Sequence, residues 1–298
     1  MKSVSLLGGQ IQGVVMGEGR PVLALHGFLD NAFSFKPLCG ELPDVEIWAL
    51  DLPGHGASAP LAMAEGWSIT QWLPVLGRLL DELNWDHYTM LGHSLGAILA
   101  QMLAAVDPRI ERLICLDALG PLTDSDDGNL DRLQRNYQNR QDGPGGRRFY
   151  ATPDALWQVR VGGRFPLSEA SARVLSSRGI GLSDRGWYHR YDRRLRQDSA
   201  WRMTENQVQA LLGRIECPLD LALFDDSPLG KAGSVLDDRL ASISNLTVAR
   251  FPGGHHAHME NPRPVAQWVR ARIEADLSDS SDSPAGIPKS ESPGVSST

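Results

Sequence analysis

The chain has 298 residues, of which 42% are hydrophobic and 22% are charged, a composition typical of a globular protein with a sizeable core. The formal net charge of −7 argues against a nucleic-acid partner, and three widely spaced cysteines disfavour both a disulfide framework and a zinc ribbon. No apolar run approaches the ~20 residues that cross a bilayer, and the first residues lack the apolar stretch of a signal peptide. We therefore expect a cytoplasmic protein that does not insert into membranes.

Short apolar runs alternate with helical patterns over the first 120 residues. Apolar side chains between positions 69 and 83 recur at the spacing of one helix face, and Pro74 indicates that this helix begins just before it or kinks there. A second helix is predicted over 95–106. The predicted strands of this part are 21–26, 45–51, 88–91 and 110–116. The alternation predicts a mostly parallel sheet with helices on both faces.

Residues 121–213 interrupt this alternation with a discontinuous helical pattern that glycines and prolines break. The segment has 15 arginines, no lysine and 11 acidic residues. Because both signs of charge are mixed along it, we favour a solvated surface over a binding site for an anionic substrate.

The alternation returns after residue 213, and serine dominates the end of the chain. Predicted strands lie at 219–224 and 246–251, and predicted helices at 234–243 and 262–276. Eight of the last 21 residues are serine and three are proline. Such a segment cannot bury enough apolar surface to offset the conformational entropy that it would lose on ordering. We therefore expect an α/β core at 1–120 and 214–277, a helical cap at 121–213 and a disordered tail at 278–298.

The most specific motif is Gly-His-Ser-Leu-Gly at positions 92–96. It matches the G-x-S-x-G nucleophile elbow, and it lies between a predicted strand and a predicted helix, as that motif requires. The glycines keep side chains away from the neighbouring strand and helix, and the helix dipole favours negative charge developing near Ser94. The alternative is a glycine-flanked turn in which Ser94 only caps the helix. The context favours Ser94 as a nucleophile.

A second motif, His26-Gly27-Phe28, follows the predicted strand at 21–26. In esterases with this elbow, the loop after the corresponding strand and the residue after the nucleophile each supply one backbone N–H to an oxyanion hole. Here the two donors would be Phe28 and Leu95, which would bind the oxyanion of a tetrahedral intermediate. We interpret the His26 side chain as a structural group that hydrogen-bonds neighbouring loops.

A third motif, Gly-Gly-His-His-Ala-His at 253–258, lies between the last predicted strand and the last predicted helix. Three histidines in four residues could suggest a metal site, but no pattern of carboxylates or thiols accompanies them. In hydrolases with this elbow, the histidine base comes last in the chain. We assign the base to His255, expect His256 and His258 to be structural or solvated neighbours, and predict neither a metal nor a cofactor.

Taken in order, these motifs resemble the α/β-hydrolase superfamily over residues 1–277, and the segment at 192–218 is similar to its serine hydrolase-like branch, among bacterial esterase-type members. The motifs are His26-Gly27, Asp-Leu-Pro-Gly-His-Gly at 51–56, the elbow and Gly254-His255. The resemblance implies the α/β-hydrolase fold, a mostly parallel sheet with an inserted cap. In the loop at 51–56 we expect the side chains of Asp51 and His55 to hold the loop backbone in place rather than to react.

The resemblance leaves two places for the acid of the triad. The usual place is the loop after the penultimate strand, nine residues beyond its opening proline, and counting from Pro218 this position is Ser227, which cannot serve. Asp225 and Asp226 fall one or two residues short. The other place is the end of the strand that follows the elbow helix, where the chain has Asp117. We favour Asp117, with Asp225 and Asp226 as alternatives.

Two classes of function are compatible with these residues. The first is a serine hydrolase that cleaves a small-molecule ester or thioester through an acyl-enzyme intermediate. The second is a non-hydrolytic small-molecule receptor, or a carbon–carbon bond hydrolase, on the same fold. We favour the hydrolase, because a receptor has no need to keep a nucleophile, a base and an acid together.

Overall fold

A computed structural model describes residues 1–62, 67–139, 141 and 145–279. The strands within these ranges are β1 (Lys2–Leu6), β2 (Ile11–Met16), β3 (Arg20–Leu25), β4 (Val45–Leu50), β5 (Tyr88–His93), β6 (Ile110–Leu116), β7 (Ile180–Ser183), β8 (Gly186–His189), β9 (Leu219–Phe224) and β10 (Leu246–Phe251). The helices are α1 (Lys36–Gly40), α2 (Leu73–Leu83), α3 (Leu95–Ala104), α4 (Asp126–Gln138), α5 (Asp154–Val161), α6 (Glu169–Gly179), α7 (Glu205–Leu212), α8 (Ser234–Ala241), α9 (Ala257–Glu260) and α10 (Pro262–Asp279).

Eight strands form one sheet, in the order β1-β2-β4-β3-β5-β6-β9-β10. The pairs β1–β2 and β2–β4 are antiparallel, and every other pair in this sheet is parallel. All residues of β5 and β9 are buried, as is usual for parallel strands covered on both faces. The predicted mostly parallel sheet is confirmed.

Helices pack on both faces of the sheet. One core cluster includes apolar side chains of α2, α3, α7 and α8, such as Leu80, Leu99 and Val208. A second cluster joins α1 and α10 to the other face through side chains such as Leu38 and Val269. The fold is therefore a three-layer α/β arrangement, in which the carboxyl ends of the parallel strands meet at one edge.

Helix α2 shows how local sequence sets an element boundary. A 3₁₀ turn at Ile69–Trp72 precedes it, and Pro74 lies in its first turn. Proline is tolerated there because the first N–H groups of a helix have no intrahelical acceptor. The expectation that the helix begins just before Pro74 is confirmed.

The segment predicted as a helical cap contains helices α4 to α7, but it is not wholly helical. Strands β7 and β8 form an antiparallel hairpin, and Gly186 at φ 115° adopts a conformation that side chains rarely allow. The helical expectation was therefore wrong for residues 180–189. Helix α7 buries Val208 and Leu212 in the core cluster, so the end of the predicted cap packs as part of the core. The division at residues 121 and 213 stays a prediction.

The predicted tail begins two residues too early, since Ser278 and Asp279 still belong to α10. The rest of that tail, residues 280–298, lies outside the described residues. None of the described helices combines the length and the apolar character needed to cross a membrane.

Candidate active site

Ser94 lies on a strained turn between β5 and α3. Its φ of 50° and ψ of −117° are unusual for a residue with a side chain, and its N–H donates to the carbonyl of Leu116 at 3.0 Å. A Cβ at position 92 would lie 2.3 Å from Cα of Ala97, and one at position 96 would lie 1.9 Å from the Leu25 carbonyl oxygen. Both glycines of the motif are therefore required by close backbone approach.

His255 and Asp117 meet at the same edge of the sheet. Nδ1 of His255, in the loop after β10, lies 2.6 Å from Oδ2 of Asp117, which directly follows β6. The carboxylate is fully buried, whereas the imidazole is 11% exposed. Because an ionised carboxylate can only accept, Nδ1 donates this hydrogen bond and Nε2 of His255 is left to accept a proton.

The other oxygen of Asp117 is held by the loop that follows β9. Oδ1 accepts hydrogen bonds from Oγ of Ser227 at 2.7 Å and from the Phe224 N–H at 3.2 Å. Oγ of Ser227 in turn accepts from the Gly230 N–H at 2.9 Å. Together with His255, these donors set the orientation of a buried carboxylate.

Asp225 and Asp226 lie in a different environment. Asp225 pairs with Nε of Arg250 at 2.9 Å and Asp226 with Nζ of Lys231 at 3.6 Å, and the two carboxylates are 46% and 70% exposed. Of the three carboxylates that the sequence left open, the structure places Asp117 against His255.

Strand pairing brings the elbow to the His255–Asp117 pair. His93 and Leu116 are partners in the β5–β6 ladder, so Ser94 and Asp117 follow neighbouring strands at the same level. Nε2 of His93 donates to the carbonyl oxygen of His255 at 2.8 Å, and the two rings are 4.8 Å apart. The residue before Ser94 therefore anchors the backbone of His255.

The two expected oxyanion donors lie on segments that flank this turn. Leu95 is the first residue of α3, where N–H groups have no intrahelical acceptor and the helix dipole is positive. Phe28 lies in the loop after β3, and β3 pairs with β5 at Leu25 and Gly92. The Phe28 ring is 39% exposed and stacks on Trp67 at 6.0 Å. Both expected donors thus come from segments next to the turn at Ser94.

His26 and Asp51 hold the surrounding loops. Nδ1 of His26 donates to the Gly27 carbonyl at 2.8 Å, and its Nε2 accepts from the Leu52 N–H at 2.9 Å. Burial lowers the pKa of His26, which favours this neutral form. Asp51 is buried and accepts from the N–H groups of Ala32 and Ala57, each at 2.8 Å. The expected structural roles of His26 and Asp51 are confirmed.

Two arginines of the predicted cap reach buried core carboxylates. Arg160 of α5 pairs with Asp30, and Arg178 of α6 pairs with Asp51 at 2.8 Å. Burial acts to raise the pKa of Asp30, but Arg160 and His256 hold it well below its ordinary value. The expectation of a solvated arginine surface was therefore wrong for Arg160 and Arg178, because sequence spacing does not show which distant carboxylate an arginine meets.

The histidines after His255 are buried rather than solvated. Nε2 of His256 lies 3.1 Å from Oδ2 of Asp30, and Nε2 of His258 lies 2.9 Å from Oγ of Ser34. We expected His256 and His258 to be either structural or solvated, and the structural alternative is correct. Sequence reasoning missed Asp30 and also His93, although His93 lies inside the elbow motif.

Phe165 was not predicted from the sequence either. It lies between α5 and α6 in the predicted cap, and its ring packs 4.3 Å from the ring of His255. The inserted segment therefore contacts the histidine of the candidate site.

A cleft of about 1000 Å³ lies at the opposite edge of the sheet, near the amino ends of β5 and β6. Thr89, Ile110 and Cys217 are among its lining residues. Ser94, Asp117 and His255 do not line it.

An α/β sheet with a strained serine between β5 and α3, and an Asp–His pair beside it, defines the class of α/β-fold serine hydrolases. Comparison with known proteins agrees, since the sequence profile described as "Alpha/beta hydrolase family" matches residues 22–268, so the chain belongs to that family.

Its relatives narrow the class to the serine hydrolase-like branch. A "Probable serine hydrolase" of Drosophila melanogaster is 30% identical over 85% of this chain and 80% of its own length. A "Serine hydrolase-like protein" of Danio rerio is 28% identical over 93% of this chain and 89% of its own length. The crystal structure of the hypothetical protein PA1622 from Pseudomonas aeruginosa PAO1 has a TM-score of 0.84 and 30% identity, covering 93% of this chain and all of its own. The family and these relatives support a hydrolase.

Proposed function

We propose that the protein hydrolyses a carboxylic ester or thioester of a small molecule through an acyl-enzyme intermediate. The observation that carries the proposal is the 2.6 Å contact between His255 and the buried Asp117, beside Ser94 on its strained turn. In this proposal Ser94 is the nucleophile, His255 the general base and Asp117 the acid that orients the base.

In the first half of the reaction, Oγ of Ser94 attacks the carbonyl carbon while its proton passes to Nε2 of His255. The negative charge that forms on the carbonyl oxygen is stabilised by the N–H groups of Phe28 and Leu95, each worth about 3–4 kcal/mol in comparable sites. The imidazolium then protonates the departing alcohol or thiol, which leaves an acyl group on Ser94.

In the second half, a water molecule gives a proton to His255 and attacks the acyl group. Collapse of the resulting intermediate releases the acid and returns the proton to Oγ of Ser94. Asp117 stays ionised throughout. Its role is to hold Nδ1–H of His255 and to stabilise the imidazolium that forms in each half.

The predicted cap supplies apolar surface for the acyl group. The ring of Phe165 packs on His255, and Phe28 stacks on Trp67 near the end of β3. Aromatic side chains at a site of this kind favour apolar ligands. We therefore propose that the cap covers Ser94 and that Phe165 of the cap, together with the Phe28 and Trp67 rings of the core, selects the acyl chain.

Labelling with a fluorophosphonate, combined with hydrolysis of nitrophenyl esters of increasing chain length, tests the assignment. Ser94→Ala should lose both labelling and hydrolysis while it remains folded, because in this proposal Ser94 is the hydroxyl that His255 activates. Ser177→Ala is the matched control, since Ser177 is exposed and donates only to the Val174 carbonyl. Stoichiometric labelling of Ser94→Ala would reject Ser94 as nucleophile, and failure of the unmodified protein to hydrolyse any ester would favour the receptor alternative.

A further inference from the structure

Asp30, His93 and His256 form a buried cluster from three distant parts of the chain. Asp30 lies after β3, His93 ends β5, and His256 follows β10. Their side-chain ligand atoms lie within 4.8 Å of one another, with 3.1 Å between Oδ2 of Asp30 and Nε2 of His256 and 3.7 Å between that oxygen and Nδ1 of His93. The set contains two imidazoles and one carboxylate, which are ordinary ligands of zinc.

His93 turns its Nδ1 atom toward this oxygen. Its Nε2 donates to the His255 carbonyl at 2.8 Å, so that nitrogen carries the proton. The other ring nitrogen, Nδ1, lies 3.7 Å from Oδ2 of Asp30. Nδ1 is buried and has no hydrogen-bond partner among the residues that the structure describes. A buried ring nitrogen without a partner that faces a carboxylate oxygen is a position suited to a bound cation.

Gly27 packs closely against these two atoms. A Cβ at this position would lie 2.8 Å from Nδ1 of His93 and 3.1 Å from Oδ2 of Asp30. Zinc binds such atoms at about 2.0–2.2 Å in a tetrahedral arrangement, which separates neighbouring ligand atoms by about 3.3 Å. The two separations that involve Oδ2 of Asp30, 3.1 Å and 3.7 Å, lie on either side of this value, and all three ligand atoms lie within 4.8 Å of one another.

The contacts around the cluster are those expected around metal ligands. A ligating histidine commonly donates its other N–H to a carbonyl oxygen, as His93 does to His255, and a ligating carboxylate is itself hydrogen-bonded, as Oδ1 of Asp30 is by Arg160. For His256 to bind through Nε2, its proton would move to Nδ1, which is buried and has no hydrogen-bond partner among the described residues.

We propose that Asp30, His93 and His256 bind one divalent transition-metal ion of the zinc type. The ion would join the segments that carry Phe28, Ser94 and His255, and thereby stabilise their mutual arrangement. Two nitrogen ligands and one oxygen ligand favour Zn²⁺ or Co²⁺ over Mg²⁺, which prefers oxygen. The sequence-based prediction of no metal rested on the absence of a nearby carboxylate, which folding supplies from a loop 226 residues away.

Equilibrium dialysis of the full-length protein against chelator-buffered Zn²⁺, with bound metal measured by elemental analysis, tests the site without relying on enzymatic activity. We expect one Zn²⁺ per chain and a higher melting temperature with Zn²⁺ than with chelator. Asp30→Asn and His256→Gln should weaken binding by more than about 100-fold, the upper range for loss of an outer contact alone. His87→Gln, an exposed histidine paired with Glu111, is the matched control and should bind normally.

Two further measurements distinguish this site from adventitious binding. The unmodified protein loaded with Co²⁺ should show the absorption of a low-coordinate nitrogen–oxygen site, which needs no variant that could misfold. His255→Gln should retain its metal, because His255 contributes only a backbone carbonyl to the network. No stoichiometric metal, unchanged affinity in His256→Gln, or loss of metal in His255→Gln would each overturn the proposal.

Discussion

Strands β6 and β9 are parallel neighbours, but the loops that follow them place carboxylates in opposite environments. Asp117 after β6 is buried, has a φ of 55° and contacts His255. Asp225 and Asp226 after β9 are exposed and pair with Arg250 and Lys231. Burial and reach to the histidine, rather than spacing along the chain, therefore decide which carboxylate can act as the acid.

The loop after β9 supplies donors in place of a carboxylate. Ser227 stands where the family's acid is commonly found, and its hydroxyl donates to Asp117 at 2.7 Å. Two carboxylates this close and buried would repel each other and raise the pKa of one of them. If the acid is at position 117, a neutral hydroxyl at position 227 avoids this repulsion.

The largest effect should follow from Asp117→Asn. We expect kcat to fall by about 10³ to 10⁴-fold, because an amide cannot stabilise the imidazolium and favours the wrong tautomer of His255. Steady-state kinetics with a nitrophenyl ester, together with circular dichroism to check folding, measures this. A near-normal Asp117→Asn with a collapse of kcat in Asp225→Asn or Asp226→Asn would move the acid to the loop after β9.

An intermediate effect should follow from Ser227→Ala, which leaves Asp117 with His255 and the Phe224 N–H. Loss of this hydrogen bond should lower the free energy of unfolding by about 1–3 kcal/mol and reduce kcat up to about tenfold. Because Ser227 positions the acid and does not touch substrate, KM should stay unchanged. Ser242→Ala, at an exposed hydroxyl that donates to the Asp238 carbonyl, is the control. A rise in KM at constant kcat would contradict a positioning role.

The smallest effect should come from Asp225→Asn and Asp226→Asn. Exposed ion pairs contribute little, so kcat should change by less than about twofold and folding should be preserved. The kcat values of these two variants and of Asp117→Asn, measured on one substrate, compare the contributions of the two loops directly. A more than tenfold loss of kcat in either variant would contradict the prediction that these exposed ion pairs contribute little to the reaction.

Residues close together in the chain determined much of this protein. Apolar periodicity predicted β6, β9 and β10 with their observed bounds, and Pro74 predicted the start of α2. The glycines at 92 and 96 predicted the turn at Ser94, although only Gly92 is required by the turn itself, since Gly96 meets the Leu25 carbonyl of β3. These features depend on conformational preferences and sterics that a short segment carries with it.

Only the tertiary structure decided which side chains meet. Asp117 and His255 are 138 residues apart, Arg160 and Asp30 are 130 apart, and His256 meets Asp30 across 226 residues. The hairpin at 180–189 likewise pairs with Tyr150 through Trp187. The order of the strands in the sheet and the packing of the inserted segment bring these groups together. Neither the composition of the chain nor the spacing of its residues predicts that strand order. Short stretches of sequence therefore sufficed for β3 to β6, β9, β10 and the nucleophile turn, while long-range packing determined the hairpin, the acid, the cap contacts and the buried Asp–His cluster.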